Sequence, residues 1–124
     1  MAKLLIVDDE ADVREFATNF FRRRKVEVLT ASGGEEALSL IEKEKPDLVL
    51  LDIKMAGIDG IETLKRLRVK DQTTKVIMVT GKKPDEEESF NKCHQLNAVD
   101  YIHKPLELDE LERVVMKELT NLKS

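Results

Sequence analysis

The sequence predicts an α/β fold: a five-stranded parallel sheet, strand order 2-1-3-4-5, doubly wound, with five helices. Two observations carry this. Short apolar runs alternate with helical stretches along the chain, the pattern of successive βα units. The runs also differ in kind. Leu4-Leu5-Ile6-Val7, Leu48-Val49-Leu50-Leu51 and Val76-Ile77-Met78-Val79 are continuously apolar, as strands covered on both faces are. The second strand holds Glu27 and the fifth holds Asp100, which suits the two edges.

Each element has its own signal. The first strand runs into Asp8-Asp9, and a helix follows with Val13, Phe16, Ala17 and Phe20 at helical spacing. Val26 to Leu29 forms the second strand. Ser32 with Glu35 has the spacing of a capping box, opening a helix that carries Ala37, Leu38 and Ile41 and ends at Lys45-Pro46. The third strand ends at Asp52. Asp59 with Glu62 marks the start of a third helix bearing Ile61, Leu64, Leu67 and Arg68. The fourth strand ends at Thr80. Pro84 suits the first turn of a fourth helix running to about Leu96, and Asn97 can close it in the left-handed conformation. The fifth strand, Val99 to Ile102, leads through His103 to Lys104-Pro105. A fifth helix places Leu108, Leu111, Val115, Leu119 and Leu122 on one stripe.

The bulk properties narrow the class. The chain has 124 residues, the size of one domain, and is read as a single domain over residues 1–124. Hydrophobic residues make up 41% and charged residues 37%, which fits a soluble globular protein. The net charge of −4 disfavours direct nucleic-acid binding. Arg22-Arg23-Arg24-Lys25 reads as a solvated helix C-terminus, and Asp85-Glu86-Glu87-Glu88 as a solvated first turn. Cys93 is the single cysteine, so there is no disulfide framework, and its neighbour His94 reads as a surface residue. No signal pattern or membrane-length apolar span appears, so no membrane association is expected and the cytoplasm is the expected compartment.

In a doubly wound sheet, ligands bind at the carboxyl ends of the strands beside the point where the winding reverses. That edge would gather Asp8, Asp9, Asp52, Thr80 and Lys104. Crowded carboxylates repel by ~4 kcal/mol at ~4 Å and an effective dielectric of ~20, so one takes a proton or a cation is recruited. All-oxygen ligands favour a hard cation, and Mg²⁺ is the usual choice. Mg²⁺ shares phosphate oxygens, which points to phosphoryl transfer, and an Asp can serve as nucleophile to form an acyl phosphate.

The motifs Val7-Asp8-Asp9-Glu10, Leu50-Leu51-Asp52-Ile53-Lys54-Met55, Asp59-Gly60, Thr80 and Asp100-Tyr101-Ile102-His103-Lys104-Pro105 stand in one order at fixed spacing. In this the chain resembles the receiver domain of bacterial two-component response regulators, chemotaxis-regulator-like, over essentially its whole length. The resemblance implies a flavodoxin-like fold and a phosphorylation-controlled signalling switch. It implies Asp52 as phospho-acceptor, with Asp8, Asp9, Asp52 and the backbone carbonyl of Lys54 around Mg²⁺. Thr80 and Lys104 would contact the phosphoryl group, Thr80 and Tyr101 would form the switch, and Lys104-Pro105 would be a cis peptide. The phosphoryl donor would be a histidine kinase or phosphotransfer protein. The output partner would bind a face of helix four, strand five and helix five, to a monomer or a phosphorylation-dependent dimer. The chain would be an acceptor that phosphorylates and dephosphorylates itself, and no enzyme on outside substrates. The family's lifetime-tuning positions fall on Lys54 and Lys82. Neither ammonium accepts a hydrogen bond from an attacking water, so slow self-dephosphorylation is expected.

Rival readings lack their motifs. A flavin carrier needs a Ser/Thr/Gly-rich phosphate loop where Asp8-Asp9-Glu10-Ala11-Asp12 stands. A dinucleotide-binding dehydrogenase needs Gly-x-Gly-x-x-Gly there. An aspartate-nucleophile phosphatase usually has Asp-x-Asp on strand one and needs a substrate cap. A phosphate-independent interaction module is the remaining alternative.

Overall fold

A computed structural model describes residues 2–81 and 95–120 of the chain. Its elements are β1 (Lys3–Val7), α1 (Ala11–Arg22), β2 (Glu27–Ala31), α2 (Gly34–Glu44), β3 (Leu48–Asp52), α3 (Gly60–Lys70), β4 (Lys75–Thr80), β5 (Asp100–His103) and α4 (Leu108–Thr120). The strands form one parallel sheet in the order β2-β1-β3-β4-β5, as the run chemistry predicts. Four helices, not five, appear among the described residues. The predicted fourth helix lies outside them except at its last residues, and Cys93, His94, Lys82 and Leu122 lie outside as well. Among the described residues no helix is long and apolar enough to cross a membrane.

The continuous apolar runs have a simple cause. Alternate side chains of a strand point to opposite faces, and here both faces are covered. Leu4, Ile6, Leu48, Leu50, Ile77 and Val79 pack under α1 and α4 with Phe21, Leu111 and Val115. Leu5, Val7, Val49, Leu51, Val76 and Met78 pack under α2 and α3 with Ala37, Ile41, Leu64 and Leu67. The central strands therefore need an apolar residue at every position.

Some local expectations shift. In α1 the buried residues are Ala17 and Phe21, while Phe16 is 45% exposed. Phe20 is only partly buried and lies under the Arg24 guanidinium, 3.6 Å from its ring centre. Of the predicted stripe, Ala17 is buried and Val13 and Phe20 are half-buried, while Phe21 takes the inward place expected of Phe16. At α2 the residue that reaches back to Ser32 is Glu36, not Glu35: its Oε1 accepts from Ser32 N at 2.8 Å and Oγ at 3.1 Å. The helix begins one residue late, with Gly33 as its cap, and that shift moves the partner by one. Leu108 opens α4 but is 45% exposed, because the helix's inward face begins at Leu111.

The start of α3 sits hard against the end of β3. Asp59 caps the helix by accepting from Glu62 N at 2.8 Å. Gly60 N donates to Ile53 O at 2.7 Å, which seats the helix directly on the strand end. A Cβ on Gly60 would overlap the Asp52 carbonyl oxygen and the Ile53 Cα. Only glycine permits this approach, and the obstacle is backbone, which yields little. Gly60→Ala is therefore expected to lower stability by about 3 kcal/mol, the upper range of overpacking. Urea unfolding of parent and variant measures it, and a loss below about 0.5 kcal/mol would show that the loop after β3 gives way.

Candidate functional site

Parallel register brings the strand ends level. Val7 lies beside both Ala31 and Leu51, Asp52 beside Val79, and Thr80 beside His103. Residues just past these points share one edge. Asp8 and Asp52 are each 3% exposed there, and Thr80 is 5% exposed. Lys104 reaches them from beyond β5. Its backbone N–H donates to Thr80 O at 2.7 Å, its Nζ donates to Asp52 Oδ2 at 3.0 Å, and the same Nζ lies 3.5 Å from Asp8 Oδ2. The Lys104–Pro105 peptide is cis, as the resemblance implies.

The surrounding backbone fixes these side chains. Asp8 Oδ1 accepts from Glu10 N at 2.9 Å, and Arg14 Nη1 donates to the Asp8 carbonyl at 2.7 Å. Asp9 is exposed, and its Oδ2 accepts from Ala56 N at 3.2 Å, tying the β1 turn to the loop after β3. The Thr80 hydroxyl donates to Gly81 O at 3.1 Å. Tyr101 is half-buried against the α2/α3 side of the core. Lys54 is exposed, and its backbone N–H supplies a hydrogen bond to the Asp52 carboxylate.

Electrostatics follows from burial. Burial pushes the Asp52 carboxyl up to about 6; the Lys104 hydrogen bond opposes this and the Asp8 charge adds to it. Burial works against the Lys104 ammonium too, yet its hydrogen bond to Asp52 and the charges of Asp52, Asp8 and Glu10 raise its pKa on balance. Two buried carboxylates thus share one ammonium.

Oxygen atoms of Asp8, Asp9 and Glu10 all lie within 4.8 Å of one another. Three hard oxygen donors at this spacing fit a divalent cation such as Mg²⁺. The sequence reading gives Glu10 no role beyond its motif and gives Arg14 none at all. The only signal for either is position: Glu10 directly follows Asp8-Asp9, and Arg14 lies one helical turn beyond it. A concavity of about 920 Å³ opens at the opposite end of the sheet, between the C-terminal ends of α2 and α3, where Leu38, Ile41, Leu67 and Val69 line it. The convergent charged groups, however, are at the strand ends, and these mark the site.

Comparison with known proteins agrees with the geometry. The response regulator receiver domain profile matches residues 4–116. Sporulation initiation phosphotransferase F of Bacillus subtilis (strain 168) is 38% identical over 117 residues, covering 94% of this chain and 93% of that protein. Regulatory protein AtoC of Escherichia coli (strain K12) is also 38% identical over 117 residues, but the match spans only 25% of its length. Among solved structures, response regulator TrrA from Thermotoga maritima in complex with Mg²⁺–BeF is 35% identical with a TM-score of 0.83, covering 95% of this chain and 99% of that one.

The raised Asp52 pKa sets a pH dependence. The folded state favours the protonated carboxyl, so the group's stabilising contribution is present below about pH 4 and lost as pH rises through about 6. Without metal, Asp52→Asn is expected to be more stable than the parent above pH 6, by up to about 3 kcal/mol at 1.4 kcal/mol per pKa unit. The gain should shrink as pH falls toward 4. Urea unfolding at pH 4.5 and 7.5 decides it; an equal gain at both would show that the buried charge is not its cause.

Proposed function

Since the chain belongs to the response regulator receiver domain family, we propose that it is a signalling switch that accepts a phosphoryl group on Asp52. The observation that supports this most is the buried Asp52 carboxylate held 3.0 Å from Lys104 Nζ beside Asp8. With its pKa near 6, Asp52 is ionised at neutral pH and close enough to it to retain basicity, as a nucleophile requires. Lys104 occupies Oδ2 and so orients the carboxylate. A carboxylate oxygen forms the new P–O bond while the P–N bond of a donor phosphohistidine breaks, the imidazole leaving with the electron pair. Lys104 and Thr80 then hold phosphoryl oxygens.

Asp8, Asp9 and Glu10, with Asp52 and the Lys54 carbonyl, would hold Mg²⁺. When bound it offsets the negative charge that gathers as phosphate approaches the acidic edge. The chain's own groups do the rest: Arg14 fixes the Asp8 backbone, and Asp9 fixes the loop that carries Lys54.

The donor in this reading is a histidine kinase or phosphotransfer protein in the cytoplasm. The output partner binds the face built from the segment before β5, β5 and α4, with Thr80 and Tyr101 as the moving parts. The chain acts as one domain, monomeric or dimerising on phosphorylation. It has no outside substrate and contacts neither nucleic acid nor membrane.

Acetyl phosphate with Mg²⁺ should add one phosphoryl group, and Asp52→Asn should reduce that to background. Intact-protein mass spectrometry is the check, and equal modification of the variant would refute the assignment. The lifetime depends on Lys54 and Lys82, which cannot orient an attacking water. Phosphate release should quicken about tenfold in a Lys54→Asn, Lys82→Glu double variant, where a carboxylate can do so. A release rate equal to that of the parent would show that neither lysine guards the phosphorus.

A further inference from the structure

α3 carries one cation that does not face water. Lys65, Arg66 and Lys70 are exposed or paired at the surface, whereas Arg68 is 6% exposed. A buried charge is costly unless its donors are satisfied. Arg68 finds its partners in carbonyls: Nε donates to Leu96 O at 2.8 Å, Nη2 to Asn97 O at 3.2 Å and Nη1 to Asp71 O at 3.1 Å. The Asp71 carboxylate acts on it through its field, but its oxygens take hydrogen bonds from Thr73 and Thr74. Gln72 closes the α3 end by donating to Arg68 O.

Leu96 and Asn97 form the turn that delivers the chain into β5, and Asn97 is left-handed, with φ 63°. Two carbonyls of that turn are therefore held by a charge fixed in α3. Two residues on, Val99 N donates to Val76 O at 2.8 Å and the strand begins. The other end of β5 is held differently. Lys104 follows His103 and binds Thr80 O through its backbone and Asp52 and Asp8 through Nζ.

We propose that Arg68 is a positioning residue for the switch: it clamps the Leu96–Asn97 turn to α3, so that β5 is fixed at its entry and responds to a charge change at Asp52 only from Tyr101 onward. The clamp rests on the three guanidinium–carbonyl hydrogen bonds, while the response rests on the acceptor reading. If the turn left α3, a buried guanidinium would lose two of its partners. A lysine would not substitute, since one ammonium cannot reproduce the planar fork that reaches three carbonyls.

The test uses the full chain, Arg68→Met and Arg68→Lys, with amide hydrogen exchange and amide NMR shifts, metal-free and with Mg²⁺ and beryllofluoride as phosphoryl mimic. In the metal-free parent, Val99 should be protected. In Arg68→Met its exchange should rise about tenfold through local opening, with Arg68→Lys between. Beryllofluoride should shift Thr80, Gly81 and residues 101–104 more than residues 96–99 in the parent, and spread to 96–99 in the variants. Unchanged Val99 exchange in both variants overturns the clamp. Equal shifts at 96–99 and 101–104 in the parent overturn the fixed entry. No shift anywhere overturns the acceptor reading and the response together, while metal-free exchange still judges the clamp. Should Arg68→Met not fold, Arg68→Lys carries the same comparisons.

Discussion

The structure turns on two buried carboxylates that share one ammonium. Asp8 and Asp52 stand at the ends of adjacent central strands, and the two-sided apolar sheet beneath them keeps water from screening their charges. Left alone, such a pair would protonate or open the strand ends. Lys104 opposes that, although it comes from beyond β5, with β4 between it and Asp52. It arrives because Thr80 O fixes its backbone, and Thr80 is where it is because β4 pairs with β3 in register. The site therefore depends on the registers of β1, β3, β4 and β5 together.

Much of this was legible in the sequence because both devices leave local marks. A strand buried on both faces must be apolar at every position, and this sorted centre from edge. Polar residues directly after such runs must lie at the carboxyl edge, and this placed Asp8, Asp52 and Thr80 without knowledge of any contact. Lys104 was placed by the same logic, from the run that ends at Ile102 and leads through His103, with Pro105 and the resemblance in support.

Helix rotation was harder to read. The α1 stripe was read through Phe16 and Phe20; Phe21 is equally apolar, and the choice fell to how the Arg24 head group covers Phe20 and how α1 docks on β1 and β2. The α2 cap moved by one residue because Glu35 and Glu36 are chemically equivalent and helix position decides between them; Glu35 instead lies 3.6 Å from Arg66. Arg68 sat correctly on the inward stripe of α3, but nothing local says that an arginine there will be bound by carbonyls 28 and 29 residues away. Such partners are set by tertiary structure alone.

The two cations that bracket β5 differ in a way that bears on signalling. Lys104 is bound to carboxylates, whose charge changes on protonation and, in the proposed role, on phosphorylation. Arg68 is bound to backbone carbonyls, whose dipoles change with neither. A strand with charge-dependent side-chain bonds at one end, beside the backbone bond of Lys104 to Thr80 O, and only backbone-carbonyl partners at the other will concentrate movement near the charge-dependent end. In the proposed role, fixed dipoles at one end would turn a small charge event at Asp52 into a change of shape at Tyr101 and the surface around it.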